Sequence, residues 1–274
     1  MPTHFLPVAF AFILYLFSYS SQAQILNIER QRIEKDTVNY FTGKAGLNFS
    51  MFNRNAGKSN PNNYLQLTFD GNIAYVSARN SYLLLNYYNY LLVNYDSREQ
   101  RNTVASTGYS HFRTNFLYKK PLSYETFVQL QADKARGLEL RTLAGGGLRY
   151  RLFQTKKSAV YLGAGIMHEH EAWESQQEDA ELIRSDLIKS TNYLSLKSTL
   201  TEQVSTNAIV YYQTGYDKGL ASFRNRISGD VTLQVKLTSK FSLRTNFNCT
   251  YEDEPIIPIT RFVYAISNGV QVQF

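Results

Sequence analysis

The sequence contains little cysteine, tryptophan and proline: one Cys, one Trp and six Pro in 274 residues. A single cysteine, Cys249, cannot form an intramolecular disulfide or a Cys-x-x-Cys zinc or redox site. Beyond its first residues the sequence also lacks an apolar run of about 20 residues, the length that a membrane-spanning helix requires. The mean hydropathy is low, at -0.33. A disulfide-stapled domain and a bundle of transmembrane helices are therefore excluded.

The abundant residues favour β-strands. Hydrophobic residues make up 43% of the chain and aromatic residues 14%, including 21 tyrosines and 17 phenylalanines. This apolar content excludes an intrinsically disordered chain, and a tyrosine-rich, proline-poor composition is typical of strands. The net charge is +7, but the basic residues are spread along the chain rather than grouped in a basic helix or stripe. No nucleic-acid partner is predicted.

Residues 1–23 have the features of a secretory signal peptide. A short apolar run, Phe5 to Phe17, precedes a polar stretch and a small-residue site in which Ser21 and Ala23 occupy the -3 and -1 positions. Cleavage is predicted after Ala23, although the first four residues contain no Lys or Arg. An uncleaved membrane anchor is the alternative, and it requires a longer apolar run. No cysteine follows the run, which excludes a lipid-anchored N-terminus.

From Gly43 onward apolar residues recur with a period of two, which indicates strands. In 138–152 the even positions are mostly apolar, whereas charged residues such as Glu139 and Arg141 stand at odd positions. The same division into an apolar and a charged face recurs in 226–237 and 241–252. Strands three and nine are apolar almost throughout, so their orientation stays open. The pattern predicts twelve strands, near 42–53, 63–77, 81–95, 104–119, 122–134, 137–153, 157–172, 186–199, 204–216, 223–238, 240–252 and 259–274.

The connections between these strands alternate in character. Those after odd-numbered strands are mostly longer or richer in polar and turn residues, whereas those after even-numbered strands are tight. Such asymmetry, with an even strand number and segments long enough to span, is typical of an antiparallel transmembrane barrel with both termini in the periplasm. Aromatic residues also stand at the predicted membrane borders: Tyr118, Tyr150, Phe153, Phe241, Tyr251 and Phe262.

A soluble β-sandwich is the alternative fold, since its strands also alternate. Sandwich strands are typically about 5 to 6 residues long, and a sandwich core would have to bury the charged face of each strand at high cost. A barrel interior can hydrate or pair these charges. The prediction is therefore an all-β chain with a signal peptide in 1–23, a periplasmic segment or plug in 24–41, and a single antiparallel β-barrel of about twelve strands in 42–274, located in the cell outer membrane.

The last predicted strand carries an apolar face that reaches the C-terminus. Its members are Phe262, Tyr264, Ile266, Val270, Val272 and Phe274. A final amphipathic strand that ends in Phe is typical of the signal by which the barrel-insertion machinery recognises its substrates. That machinery, together with the lipid and lipopolysaccharide of the outer membrane, is the predicted set of partners.

Several short motifs in a fixed order resemble a known family. They are Ile25-Leu26-Asn27-Ile28-Glu29-Arg30, His111-Phe112-Arg113-Thr114-Asn115, Gly163-Ala164-Gly165 running into His168-Glu169-His170-Glu171, Tyr211-Tyr212-Gln213, and the C-terminal strand. In these the chain resembles the uncharacterised outer-membrane barrels of the DUF481 family, especially the form found in Bacteroidetes. The resemblance implies an outer-membrane β-barrel and implies no particular reaction or substrate.

The charged face of the strands is predicted to form a polar ladder in the barrel lumen. Its members are Arg113, Glu139, Arg141, Arg149, Arg151, Glu169, Glu171, Asp230 and Arg244. A lumen of mixed charge does not suit a strongly charge-selective pore, whose rings carry one sign. Twelve strands also lie between small filled barrels and the larger porins. The predicted function is a narrow or plugged channel, with small polar solutes as possible cargo, or a passive structural barrel. The segment 24–41 is either a solvated tail or a plug that pairs with the ladder.

A hydrolase directed at outer-membrane lipid or lipopolysaccharide is the alternative function. His111 and Asn115 lie on one predicted face but about 13 Å apart along a strand, so they cannot touch. The sequence has no Gly-x-Ser-x-Gly motif. No catalytic residue is assigned, and the chain is not predicted to be an enzyme.

The densest group of possible metal ligands is the run His168 to Glu171. On a strand the two histidines project to one face and the two glutamates to the other, so the four side chains cannot bind one metal ion together. No metal site and no cofactor are predicted.

Overall fold

The computed structural model describes residues 39–55, 61–93, 102–175, 181–238 and 241–272. The predicted signal peptide and nearly all of the predicted segment 24–41 lie outside these residues. The described chain is all-β, and the predicted twelve strands are confirmed. They are β1 (Tyr40–Asn55), β2 (Pro61–Val76), β3 (Asn80–Val93), β4 (Asn102–Phe116), β5 (Leu122–Asp133), β6 (Leu138–Gln154), β7 (Ser158–Glu174), β8 (Leu182–Thr199), β9 (Val204–Asp217), β10 (Ser222–Lys236), β11 (Phe241–Glu252) and β12 (Phe262–Val272).

Helical structure is limited to one short 3-10 turn, Lys134–Arg136, in the part of the chain that the structure describes. None of the described residues form a helix long and apolar enough to cross a membrane.

All twelve strands belong to one sheet in which each strand pairs with its neighbours in sequence. Every pairing is antiparallel. Because the strands form one sheet rather than two packed sheets, the alternative of a β-sandwich is wrong. Within the described ranges, no ladder joins β1 to β12.

The two ends of the sheet differ in their connections. We call the end with the connections after odd-numbered strands the loop end and the opposite end the turn end. The three longest connections, 94–101, 175–181 and 253–261, all lie at the loop end. The turn end has the short connections 77–79, 117–121, 155–157, 200–203 and 237–240.

The two faces of the sheet differ in polarity in the sense opposite to that of a soluble protein. Apolar side chains such as Leu47, Ile166 and Ile188 are 72%, 68% and 65% exposed on the outward face. Charged side chains such as Arg113 and Glu171 are buried on the inward face. The period of two that the sequence carries therefore separates an apolar exterior from a polar interior.

Apolar contacts across the interior show that the sheet is curled into a barrel fold. Ala74 on β2 and Leu83 and Leu85 on β3 pack with Tyr193 on β8 and Ile209 on β9, toward the turn end. Strands three and nine are thus apolar on both faces because one face looks outward and the other meets this cluster. We call these five residues the turn-end apolar cluster.

Tyr193 crosses the interior face of its neighbour β7 at a glycine. A Cβ atom on Gly163 would lie 2.0 Å from the Tyr193 ring, and Gly163 is the register partner of Tyr193. Only glycine leaves this space. The phenol can therefore lie over β7 and reach Glu125 on β5, to which its hydroxyl donates at 2.6 Å.

The connection 253–261 covers the interior at the loop end. Ile257 in this connection is buried against Leu138 on β6 and Trp173 on β7, and Ile256 and Ile259 pack against the same cluster. Leu138 and Trp173 are register partners. The connection 253–261 therefore places apolar contacts beside the charged interior at the loop end.

A β-bulge places Leu138 inside and changes the orientation of Glu139. The register between β6 and β7 shifts between Leu138 and Leu140, so Leu138 turns inward while Leu140 remains exposed. The prediction that Glu139 belongs to the lumen ladder is therefore wrong, because one extra residue in a strand breaks the period of two. The Glu139 carboxylate instead pairs with Lys134, at 3.5 Å.

Candidate functional site: charged networks in the barrel interior

A network of buried charges occupies the loop-end half of the interior. The strand period of two points Glu169 and Glu171 of β7 inward together, and Glu252 joins them from the end of β11. We call these three carboxylates and the cations that contact them the loop-end network. The cations come from β6, β8, β10 and the 3-10 turn: Arg136, Arg141, Lys189, Arg224 and Arg226.

Arg226 is the centre of this network. Its Nε donates to Glu252 Oε1 at 2.5 Å, its Nη1 to Glu169 Oε2 at 2.9 Å and its Nη2 to Glu171 Oε1 at 3.1 Å. A guanidinium offers several donors in a fixed plane, which suits contact with several carboxylates at once. One side chain of β10 therefore links β7 to β11, although β7 is adjacent to neither of these strands in the sheet.

Glu171 has the densest cationic surroundings. Its side chain is 0% exposed and accepts from Arg141 Nε at 2.5 Å, from Arg226 Nη2 at 3.1 Å and from Arg224 Nη2 at 3.4 Å. Glu169 pairs with Lys189 as well as with Arg226. Buried charges persist only when they are paired and hydrogen-bonded, and these contacts provide that pairing.

The five cations of the network outnumber its three carboxylates. Two aspartates at its edge offset the difference. Asp217 Oδ2 lies 3.7 Å from Arg224 Nη1, and the charge of Asp133 acts on Arg136. Arg136 has the weakest contact with these carboxylates, because its Nη2 lies 3.9 Å from Glu252 Oε2.

A second, smaller cluster surrounds Glu125 nearer the turn end. Glu125 Oε2 accepts from Arg113 Nη1 at 3.0 Å and from the Tyr193 hydroxyl at 2.6 Å, while Arg149 Nε lies 3.7 Å from Glu125 Oε1. Arg149 also stacks over the Tyr161 ring, with its Cζ 3.3 Å from the ring centroid. This cluster joins β4, β5, β6 and β8 through one carboxylate.

His111 lies between the loop-end network and the cluster around Glu125. Among the described residues, no nucleophilic side chain hydrogen-bonds to it. Its Nδ1 is 2.9 Å from Gln129 Oε1, and Arg113 Nε donates to its Nε2 at 3.4 Å. The side chain of Asn115 is also buried, yet neither end of its amide has a partner in the described part of the structure. The structure therefore does not bring His111 and Asn115 together, and the hydrolase stays a prediction.

A cavity of about 90 Å³ separates the two charged groups. His111 and Arg113 line it on one side, and Arg136, Arg226 and Glu252 of the loop-end network line it on the other. The rest of the lining comprises Arg141 of the same network, Leu143, and polar and aromatic side chains: Phe127, Gln129, Gln131, Thr191, Tyr211, Gln213, Ser228 and Thr250.

The structure distributes the predicted ladder over several environments. Arg141, Glu169 and Glu171 belong to the loop-end network, and Arg113 and Arg149 belong to the cluster around Glu125. The other members lie outside both groups. Asp230 is buried and accepts from Asn246, Arg244 is half-buried on β11, and Arg151 donates to the backbone carbonyls of Lys119 and Lys120 at the turn end.

The predicted ladder omits six residues that the structure places in these clusters: Glu125, Arg136, Lys189, Arg224, Arg226 and Glu252. Arg226 and Glu252 stand on the charged faces of 226–237 and 241–252. Lys189 follows the outward-facing Ile188, Arg224 stands two positions before Arg226, and Glu125 alternates with exposed Tyr124 on β5. The period of two, extended along each strand, identifies these three. Arg136 lies in the turn after β5, where no strand period applies, so its place follows only from the fold.

The run His168 to Glu171 is divided between the two faces of β7. Glu169 and Glu171 are buried inside, whereas His168 and His170 are on the outward face and contact Asp186 Oδ1 at 3.6 Å and 2.8 Å. No group of three or more His, Cys, Asp or Glu residues is placed to bind a metal ion in the described ranges.

The predicted insertion signal is only partly described. Tyr264, Ile266 and Val270 are exposed on the outward face of β12. Val272 ends β12, and Phe274 lies outside the described residues. Recognition by the insertion machinery stays a prediction.

Comparison with known proteins identifies the family and no activity. A sequence-family model described as "Protein of unknown function, DUF481" matches residues 37–256. No curated protein matches the chain. The crystal structure of the β-domain of the Bordetella autotransporter Brka is similar at a TM-score of 0.36 and 10% sequence identity, with 85% of this chain and 99% of that chain covered. A likeness this distant does not bear on function.

Proposed function

We propose that this chain, which belongs to the DUF481 family of proteins of unknown function, is an outer-membrane β-barrel whose interior is closed to passive diffusion. The barrel is then a structural component of the membrane or a channel that is plugged at rest. The observation that carries this proposal is the hydrogen bonding of Arg226 to carboxylates on β7 and β11, across the interior.

The outward face supports the membrane location. A spanning strand needs about 9 to 11 residues, and each strand has at least that length. Large apolar side chains are exposed along the outward face, an arrangement that water disfavours and lipid favours. Aromatic residues near the strand ends, including Tyr150, Phe241 and Phe262, are also exposed and suit the two membrane interfaces. Fractionation of cell membranes tests the location, and recovery in the inner-membrane or soluble fraction contradicts it.

Three layers of side chains support the closed interior. At the loop end Ile257 packs on Leu138 and Trp173. The loop-end network lies beneath these residues, and the turn-end apolar cluster joins β2 and β3 to β8 and β9 nearer the other end. An ion that crosses the barrel has to displace contacts in each layer.

Conductance across a planar lipid bilayer tests the closed state. The refolded full chain is expected to give no stable stepwise conductance, whereas the double variant Glu169→Gln/Glu171→Gln is expected to open intermittently because Arg226 and Lys189 lose their charged partners. Arg151→Gln, at the turn end, is the matched control and is expected to stay silent. Stable porin-like steps from the unmodified chain contradict the proposal.

A deletion distinguishes this closure from a plug formed by the N-terminal segment. Removal of residues 24–36 is expected to leave the bilayer silent, because the proposed closure lies in the strands. If that deletion alone produces conductance, the N-terminal segment is the plug and the network is not the barrier.

A further inference from the structure

We propose that the cavity between the two charged groups is a binding site for a small oxyanion of the size of phosphate. The proposal concerns a ligand inside the barrel and does not depend on whether the barrel conducts. It rests on the charge, the donors and the size of the cavity.

The lining of the cavity is strongly basic. Four arginines line it, namely Arg113, Arg136, Arg141 and Arg226, and among the described residues Glu252 is the only carboxylate in the lining. The lining side chains therefore carry a net positive charge even with a neutral His111. Glu125, Glu169 and Glu171, which pair with three of these arginines, are not part of the lining. In an interior with low access to water such a wall attracts an anion more strongly than a solvent-exposed basic patch does.

Several hydrogen-bond donors in the cavity lining have only long contacts within the described part of the chain. Gln213 Nε2 is 3.4 Å from Thr191 Oγ1, the hydroxyls of Ser228 and Thr250 are 3.5 Å apart, and Arg136 Nη2 is 3.9 Å from Glu252 Oε2. These distances exceed the usual 2.7 to 3.2 Å range of a good hydrogen bond. An oxyanion offers several acceptor oxygens, and charge-assisted bonds to it are stronger than these contacts.

The electrostatics of Arg136 agree with an anion at this place. Burial lowers the pKa of Arg136, and the nearby charges of Arg141 and Arg226 lower it further, whereas Glu252 and Asp133 oppose this effect. A bound anion relieves the repulsion among the three guanidinium groups.

The size of the cavity limits the ligand. One water molecule requires about 10–15 Å³ of cavity volume, so about 90 Å³ has space for several waters or one tetrahedral oxyanion. A nucleotide or an oligosaccharide is too large for it. The ligand class is therefore phosphate, sulfate or a short carboxylate.

Isothermal titration of the refolded full chain in detergent micelles with inorganic phosphate tests the proposal. One saturable site is expected. Arg136→Gln is expected to weaken binding about tenfold, which corresponds to the loss of one charge-assisted hydrogen bond. Glu252→Gln is expected to strengthen binding several-fold, because it removes the acidic side chain from the lining. Arg151→Gln changes the same charge at the turn end and is expected to leave binding unchanged.

If the two cavity variants change the affinity in opposite directions, the cause is an effect on the binding site. Loss of structure would weaken binding in both variants. Circular dichroism checks the fold of each variant. If Glu252→Gln does not fold, the comparison of Arg136→Gln with its control Arg151→Gln tests the proposal. Competition of sulfate and acetate with phosphate is then the second measurement. Absence of saturable binding, or an equal loss in Arg136→Gln and Arg151→Gln, means that the cavity holds only water and overturns the proposal.

Discussion

Two clusters in the barrel interior, the loop-end network and the turn-end apolar cluster, are held together by opposite kinds of contact. At the loop end, charged side chains of β6, β7, β8, β10 and β11 meet through Glu169, Glu171 and Glu252. At the turn end, Leu83 and Leu85 meet Ile209 through apolar contact. Both arrangements bring together strands that are not neighbours in the sheet. The comparison shows that the barrel interior joins distant strands by charged contacts in one cluster and by apolar packing in the other.

The two clusters differ in how strongly a single substitution lowers the free energy of unfolding. A buried ion pair contributes little net stability when compared with a well-packed apolar pair, but removal of one partner leaves an uncompensated buried charge. An apolar contact has no such asymmetry, because truncation removes only area and leaves a small cavity. Substitutions in the loop-end network are therefore expected to lower the stability more than substitutions in the turn-end apolar cluster.

The largest effect is expected from Glu171→Ala. The substitution leaves the buried Arg141, Arg224 and Arg226 with one carboxylate fewer, and such a change typically costs about 3 to 5 kcal/mol. Urea-induced unfolding in detergent micelles measures the free energy of unfolding.

Glu174→Ala is the matched control for this substitution. Glu174 lies three residues further along β7 and is exposed, so a change of less than about 0.5 kcal/mol is expected. Equal losses in the two variants contradict the view that the loop-end network holds the strands together.

A smaller effect is expected from Ile209→Val at the turn end. Ile209 is fully buried in the apolar cluster, and the loss of one buried methylene group typically costs about 0.5 to 1.5 kcal/mol. The same unfolding measurement applies. Ile227→Val removes the same group from an exposed position on β10 and is expected to change the stability by less than about 0.5 kcal/mol. If the outward variant loses more stability than the inward one, the turn-end cluster is not a core.

The difference between the two clusters also explains which features could be predicted from the sequence. The period of two predicted the strands and most of the inward charges, because it is a local property of each strand. It left strands three and nine open, because residues such as Leu85 and Ile209 meet apolar partners on the inside as well as an apolar exterior. It was wrong at Glu139, where a bulge interrupts the period.

The pairing of charges across the interior is not a local property. The sequence places Arg226 and Glu169 on inward faces, but their hydrogen bond spans 57 residues and three strands of the sheet. It depends on how the sheet curls. The place of Arg136 and the burial of Ile257 likewise depend on how two loop-end connections fold over the interior. No spacing in the sequence encodes those contacts.

The smallest effect is expected from Asp253→Asn, where a carboxylate at the loop end is only half-buried. Burial raises the pKa of Asp253, but hydrogen bonds from the side chain and backbone of Asn225 and from the backbone of Glu254 outweigh it and lower the pKa. The stabilisation is then complete above the ordinary aspartate pKa of about 3.9 and is lost as the pH falls through the lowered value.

Solvent screening keeps the difference between Asp253→Asn and the unmodified chain below about 1 kcal/mol at pH ~7. That difference is expected to shrink as the pH is lowered to ~2, because Asp253 loses its charge as the pH falls through its lowered pKa. Urea unfolding of both proteins at the two pH values measures it. A difference as large as that for Glu171→Ala, or one that does not shrink in acid, would show that burial is not what separates a strong charged contact from a weak one in this barrel.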